Sequence, residues 1–175
     1  MRFSRVSSES DARFGQMNKS FDLHVVVFDV DGVFTDGQTW QDAHGQWRRS
    51  FSVRDTMGVR ALRKAGYRIA VLTASDSDEI KKHFEHVGVD VFIGACADPA
   101  EAIQRCMQTL KISAWSKRRI GFVSEDPAGS RSIVLTLGDA DVYTSARKGG
   151  DGAVLEISNL ILQHSHSSSH ASGEL

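Results

Sequence analysis

Two aspartates at the end of an apolar run are the residues best suited to chemistry. The run His24–Val30 reads HVVVFDV, and Asp29 and Asp31 stand two positions apart before Gly32. A nearly continuous apolar run of this length is typical of a strand buried on both faces. Two carboxylates this close are costly to bury unless a metal ion or a transferring phosphoryl group relieves their repulsion.

Two further strand ends carry polar groups. Thr73-Ala74-Ser75 follows the apolar run Tyr67–Thr73, and hydroxyls and free backbone N–H groups before a helix suit a phosphate. Ser124-Glu125-Asp126 is a second acidic pair, which would complete an oxygen site for Mg²⁺ if it faced Asp29. Each stretch alone has a structural interpretation as a turn, a helix cap or a loop. Their common position at strand ends favours one shared site.

The elements that position these residues alternate between strand and helix. Strands are expected at 24–30, 67–73, 90–93, 119–124 and, more weakly, 141–144, with a β-hairpin at 37–51. Helices are expected at 55–65, 76–87, 98–110 and 152–163, with Asp76 and Glu79 forming a capping box, and Gly88 and Asp98 as caps. This order predicts an α/β fold with a doubly wound parallel sheet and helices on both faces. Ligands bind beyond the carboxyl ends of the strands in such sheets.

The length and charge of the chain exclude several classes of protein. The 175 residues fit one domain, and 21 basic residues nearly balance 22 acidic ones, which gives no argument for a nucleic-acid or membrane partner. No apolar run approaches the roughly 18 residues of a membrane span. Cys96 and Cys106 form no CxxC pair, so a reducing, cytoplasmic location is expected.

The chain divides into one predicted domain and two polar ends. Residues 1–20 are rich in Ser and Arg, which predicts a disordered lead-in, with an organellar transit peptide as the alternative. Residues 164–175 form a Ser/His-rich tail, which is expected to be solvated although its histidines could bind a metal weakly. The folded domain is therefore expected over residues 21–163.

Several stretches resemble one phosphatase family. FDVDGVFTDG at 28–37 resembles the signature of haloacid dehalogenase (HAD)-type phosphatases, in the form used by the small capless 3-deoxy-D-manno-octulosonate 8-phosphate (KDO 8-phosphate) phosphatases. The C-terminal domain of animal CMP-sialic acid synthetases is similar. Residues 51–60, 70–73 and 148–154 resemble later motifs of the subgroup. The resemblance implies a Rossmann-like sheet with an inserted hairpin and no cap domain.

The resemblance also implies a reaction, the Mg²⁺-dependent hydrolysis of a small sugar-acid phosphate. Asp29 matches the nucleophile that forms an aspartyl-phosphate, and Asp31 matches the general acid/base, whose backbone carbonyl also binds the metal. Glu125 and Asp126 match the remaining acidic metal-binding positions. The residues implied to bind substrate are Thr73, Ala74 and Arg54.

The sequence departs from the subgroup at four places. Asp98 stands where the family has a Lys that pairs with nucleophile and phosphate, although an N-cap role also explains it. Glu125 replaces an Asp, Asp151 replaces a substrate-contacting Arg, and about a dozen residues are missing after Asp126. The lysines that could substitute for the missing one are Lys81, Lys82 and Lys117.

These departures leave three hypotheses. The first is an active phosphatase of the subgroup. The second is a catalytically impaired homologue that serves as an oligomeric structural or regulatory module. The third, a generic doubly wound binding protein, leaves the hairpin motif at 35–37 unexplained.

The hairpin segment 33–51 predicts an assembly. It carries four large aromatic side chains, Phe34, Trp40, Trp47 and Phe51. A short hairpin is marginal alone in water, and packing against copies of itself would bury these rings. The resembling subgroup forms tetramers through this hairpin, so we expect a homotetramer in which each hairpin borders a neighbour's Asp29 site. The alternative is that the hairpin folds back over its own sheet.

Overall fold

The computed structural model describes residues 23–112, 120–137 and 140–165. Its strands are β1 (Val25–Asp29), β2 (Trp40–Gln41), β3 (Trp47–Arg48), β4 (Arg68–Leu72), β5 (Val91–Ile93), β6 (Ile120–Glu125), β7 (Ser132–Leu137) and β8 (Ala140–Lys148). Its helices are α1 (Val53–Lys64), α2 (Asp78–Val87), α3 (Pro99–Thr109) and α4 (Ala153–Ser165). The predicted lead-in at 1–20 and residues 166–175 of the predicted tail lie outside the described residues.

Six strands form one sheet in the order β5-β4-β1-β6-β7-β8. β1 pairs in parallel with β4 and β6, and β4 pairs in parallel with β5, so the predicted α/β fold is confirmed. The sheet is mixed, with a dominant parallel part, because β7 is antiparallel to both of its neighbours. Residues 126–131 form a turn that is too short for the crossover that parallel pairing requires.

The core lies on both faces of the sheet. Val26 and Phe28 of β1 pack with residues of α1, α2 and α4, whereas Val25 and Val27 pack with α3. Both faces of β1 are therefore covered, which explains its continuous apolar run. Among the described residues, no helix has both the length and the apolar character to cross a membrane.

The helix ends match the predicted caps at two of three places. Gly88 adopts φ +84° and ends α2, and the Asp98 carboxylate accepts the N–H two positions on, so both caps are confirmed. The capping box expected from Asp76 and Glu79 is wrong. Helix α2 begins two residues later than expected, at Asp78, with Ser77 as an N-cap that makes no side-chain hydrogen bond.

The hairpin is the only regular secondary structure between β1 and α1, a segment that the structure describes throughout. Its strands are only two residues long, shorter than expected, and pair Trp40 with Arg48 and Gln41 with Trp47. Since paired residues share a face, the two tryptophans lie on opposite faces of the hairpin. Trp40 is 47% and Trp47 59% exposed.

The other two aromatic side chains of the hairpin segment, Phe34 and Phe51, pack in or against the core of the domain. Phe34 is buried in the core, where its ring centroid lies 4.9 Å from that of Phe84. Phe51 is half-buried and stacks on His83 with centroids 3.8 Å apart. Of the four aromatic side chains in this segment, only Trp40 and Trp47 are therefore exposed enough to form an interface.

Candidate active site

The three polar stretches follow adjacent strands of the sheet. Asp29 at the end of β1 pairs with Leu72, so Thr73 follows directly beside it. Phe28 pairs with Val123 on the other side, which places Glu125 just beyond the same edge. The register thus places all three stretches at the carboxyl ends of parallel strands.

Asp29 carries a carboxylate in an electrostatically unfavourable setting. Its Oδ1 accepts the N–H of Val30 at 2.7 Å, and its Oδ2 is left for chemistry. Burial raises the pKa of Asp29, and the charges of Asp31 and Glu125 raise it further, while the Val30 hydrogen bond opposes them. A cation beside Asp29 would offset this repulsion.

The loop after Asp29 is held by its own hydrogen bonds. The Val30 carbonyl accepts the N–H of Phe34 at 2.9 Å and closes a tight turn. The fully buried Thr35 hydroxyl accepts the N–H groups of Gly32 at 3.3 Å and Gly37 at 3.2 Å. Thr35 therefore fixes the backbone that carries Asp31.

Glu125 packs directly on this loop. A Cβ added at Gly32 would lie 2.6 Å from Oε2 of Glu125, and Gly32 has φ +77°. Only glycine meets both requirements without strain. The longer side chain of Glu125 therefore reaches the loop that holds Asp31.

The Gly-rich motif at 148–152 supports the same loop from the C-terminal part of the chain. A Cβ at Gly149 would overlap the carbonyl oxygen of Gly32, so the two backbones are in direct contact. The N–H of Gly150 donates to the Val33 carbonyl at 3.0 Å. The glycines of this motif are required by close backbone packing.

Asp55 connects α1 to the start of α4. Its buried carboxylate accepts the N–H groups of Gly152 at 3.3 Å and Leu155 at 3.2 Å. Burial raises the pKa of Asp55, and these hydrogen bonds oppose the shift. Its neighbour Arg54 is exposed, and its Cδ would lie 3.6 Å from a Cβ at Gly152. Arg54 thus lies beside the Gly-rich motif.

Thr73 forms the turn after β4. The hydroxyl of this buried residue accepts the N–H of Ser75 at 3.1 Å. A hydroxyl that accepts one hydrogen bond still has its proton to donate. The next residue, Ala74, is exposed.

Asp126 organises the turn between β6 and β7. Its Oδ1 accepts the N–H of Ala128 at 2.9 Å, and its Oδ2 accepts the Ser130 hydroxyl at 2.7 Å. These hydrogen bonds lower the pKa of Asp126. Both carboxylate oxygens of Asp126 are thus engaged in holding this turn.

Arg49 is the site residue that the sequence analysis missed. Its Nε donates to Oδ1 of Asp31 at 2.8 Å, and its side chain is 12% exposed against 45% for Asp31. The two residues are 18 positions apart, a separation without any local pattern. Of the expected substitutes for the family Lys, Lys81 and Lys82 are exposed on α2 and Lys117 lies outside the described residues.

The donor set at the sheet edge fits a hard divalent cation. No three side chains of His, Cys, Asp or Glu within 23–112, 120–137 and 140–165 are already grouped around a metal position. Mg²⁺ does not need such a cage, because it usually takes one or two carboxylates and completes its shell with water and substrate oxygens. Asp29 and Glu125, with the Asp31 carbonyl, can supply those ligands.

Sequence relatives and solved structures similar to this chain were found, although no family model matches it. The 3-deoxy-D-manno-octulosonate 8-phosphate phosphatase KdsC of Haemophilus influenzae is 33% identical over 150 residues, covering 81% of this chain and 83% of that protein. The cobalt-bound structure of the Haemophilus influenzae phosphatase (YrbI) superposes with a TM-score of 0.67 at 29% identity, over 86% of this chain and 94% of that one.

A more distant structure shares the fold. The phosphatase of Moraxella catarrhalis, solved with magnesium, phosphate and KDO, gives a TM-score of 0.71 at 23% identity, over 84% of this chain and 90% of that one. The fold and the sequence similarity define a HAD-superfamily hydrolase. The chain belongs to the KdsC family of 3-deoxy-D-manno-octulosonate 8-phosphate phosphatases.

Proposed function

We propose that this protein is a Mg²⁺-dependent phosphatase that hydrolyses KDO 8-phosphate or a closely similar sugar-acid phosphate. The observation that carries the proposal is the convergence of Asp29, Thr73 and Glu125 at the ends of three adjacent strands. The relative with 33% identity is named for this reaction and supports the substrate class.

Asp29 is the proposed nucleophile. Its Oδ2 attacks phosphorus in line with the leaving oxygen, and an aspartyl-phosphate forms as the ester bond breaks. Thr73 donates its hydroxyl proton to a phosphoryl oxygen and orients the group. Asp29, Glu125 and the Asp31 carbonyl would hold Mg²⁺, with Asp126 as a further candidate, and the ion would reduce the repulsion between nucleophile and phosphate.

Asp31 is the proposed general acid and base. Its protonated carboxyl gives the proton to the leaving alkoxide of the sugar. The resulting carboxylate then takes a proton from water, and the hydroxide attacks phosphorus. Phosphate leaves and the Asp29 carboxylate is restored, so protons and bonds balance over the cycle.

Arg54 and the hairpin are the proposed sources of specificity. The exposed guanidinium of Arg54 would bind the substrate carboxylate, a pairing that Arg geometry favours, and exposed Ala74 would leave room for the substrate beside Thr73. Trp40 and Trp47 would pack against other copies in a homotetramer, bringing each hairpin to a neighbour's site. Their exposure on opposite hairpin faces supports this assembly.

The test is release of phosphate from p-nitrophenyl phosphate and from KDO 8-phosphate. We expect turnover with Mg²⁺, none after chelation, and none in Asp29→Asn, with the fold retained by circular dichroism. Asp78→Asn, an exposed acid on α2, is the matched control and should retain full activity. Undiminished activity in purified Asp29→Asn would exclude the proposed nucleophile.

The same experiment addresses the impaired-homologue alternative. Its support is that Asp98 caps α3 where the family places a lysine. Binding of Mg²⁺ without turnover of either ester by the wild-type protein would favour that alternative. The sequence similarity to a protein named as a phosphatase supports the enzyme.

A further inference from the structure

We infer that Arg49 is the positioning residue of this site: it orients the carboxylate of Asp31 for proton transfer. The inference rests on the proposed function, because it assigns a partner to the proposed general acid/base. Its basis is the ion pair between Nε of Arg49 and Oδ1 of Asp31, at 2.8 Å.

The side chain of Asp31 needs such a partner. Hydrogen bonds through Thr35 and the contact with Gly149 hold the loop backbone, but they do not touch the carboxylate. The Asp31 side chain is 45% exposed, and in the described part of the chain its carboxylate has no other hydrogen-bond partner than Arg49. One carboxylate oxygen of Asp31 thus accepts the hydrogen bond from Arg49. The other oxygen can exchange a proton with the leaving group or with water.

The surroundings of Arg49 restrict the orientation of its guanidinium. Its side chain is only 12% exposed, and a planar guanidinium keeps its charge at every accessible pH. The backbone before it is fixed by the hairpin, where Arg48 pairs with Asp42 at 2.8 Å and Asp42 accepts the N–H groups of His44 and Gln46. Arg49 therefore enters the site from a structured segment.

The task of Arg49 differs from that of the absent lysine. Asp98 is committed to capping α3, and the lysines of α2 are exposed. Arg49 places a positive charge beside the carboxylate of Asp31. This charge acts on the acid/base and leaves the phosphoryl group to Thr73 and the metal.

The experiment compares two leaving groups. Departure of p-nitrophenolate needs little protonation, whereas the alkoxide of KDO 8-phosphate needs a general acid. In Arg49→Gln, we expect kcat/KM for KDO 8-phosphate, which reports the transfer to Asp29, to fall by about 10- to 100-fold, with kcat/KM for p-nitrophenyl phosphate changing less than about threefold. Arg49→Lys, which keeps the charge, should recover part of the loss. Arg68→Gln, which removes an ion pair with Asp90 at the opposite end of β4, is the control and should retain both activities.

A second readout separates positioning from phosphate binding. The affinity of the Mg²⁺-loaded protein for inorganic phosphate, measured by calorimetry, should change little in Arg49→Gln, and its melting temperature should match that of Arg68→Gln. Equal loss of kcat/KM on both esters, or a tenfold weaker phosphate affinity, would overturn the inference, as would unchanged kinetics. If the wild-type enzyme turns over neither ester, the proposed function fails first and the inference with it.

Discussion

The carboxylate of Glu125 lies against the backbone of Gly32. A methyl group at position 32 would come within 2.6 Å of Oε2, and the backbone there has φ +77°. Two distant parts of the chain thus meet at the loop that carries Asp31. We expect a change at either residue to alter Mg²⁺ binding at the proposed metal site.

Gly32→Ala tests this contact. The left-handed backbone costs alanine about 1–2 kcal/mol, and the methyl group displaces Glu125 in addition. We expect the Mg²⁺ concentration needed for half-maximal activity to rise at least several-fold. Gly45→Ala, at φ +73° in the hairpin turn with open space around it, carries the same backbone penalty and should leave this concentration unchanged. Equal Mg²⁺ dependence in both variants would contradict the assigned role of Glu125.

Asp98→Lys tests whether the site lacks a cation. The variant restores the residue type that the resembling family has here, at a cost of about 1 kcal/mol for the lost N-cap of α3. We expect a several-fold gain in kcat/KM or in phosphate affinity. Asp98→Asn keeps the cap, removes the charge and is the control for stability. A folded Asp98→Lys without any gain would show that the site does not lack a cation at this position.

Gly149→Ala tests the backbone contact beneath the loop. The added Cβ would overlap the Gly32 carbonyl, and neither backbone is free to move without breaking the site. We expect a loss of at least about 2–3 kcal/mol in the free energy of unfolding, measured by urea denaturation. Gly66→Ala, at φ +95° with nothing within 4 Å, should cost only the backbone penalty of about 1–2 kcal/mol. A milder effect at 149 than at 66 would show that the contact is not tightly packed.

Trp47→Ser tests the proposed assembly. Light scattering of the wild-type protein at micromolar concentration should give about four times the 19.2 kDa of one chain. Removing an aromatic ring that is 59% exposed in the single chain should shift the protein towards smaller species. His44→Ser, in the turn of the same hairpin, should retain the wild-type mass. A wild-type protein that is purely monomeric would rule out the homotetramer.

The parts of the fold that follow from local pattern were predictable from the sequence. The apolar run of β1, the αL glycine after α2 and the Asp98 cap each have a signal within a few residues. Strand β7 has no counterpart among the expected strands, although Ser132–Leu137 is largely apolar. The turn at 126–131 reverses the chain and makes this part of the sheet antiparallel.

The site residues that directly follow strand ends were predictable from the sequence. Asp29, Thr73 and Glu125 converge because parallel strands end at one edge, which the alternation of elements already implies. The Asp31–Arg49 pair and the Gly32–Gly149 contact were not predictable in this way, since they depend on how a short hairpin and a distant glycine motif dock. No spacing rule connects residues that meet only in the folded domain.

The Gly32–Gly149 contact has a consequence for biosynthesis. The loop that carries Asp31 is made early, but the backbone that supports it follows more than a hundred residues later. A ribosome-bound chain that has emerged only through β6 therefore holds every proposed catalytic side chain, yet lacks the support that shapes the loop. Catalytic competence should arrive in one step, when the final glycine motif leaves the exit tunnel, and not accumulate during elongation.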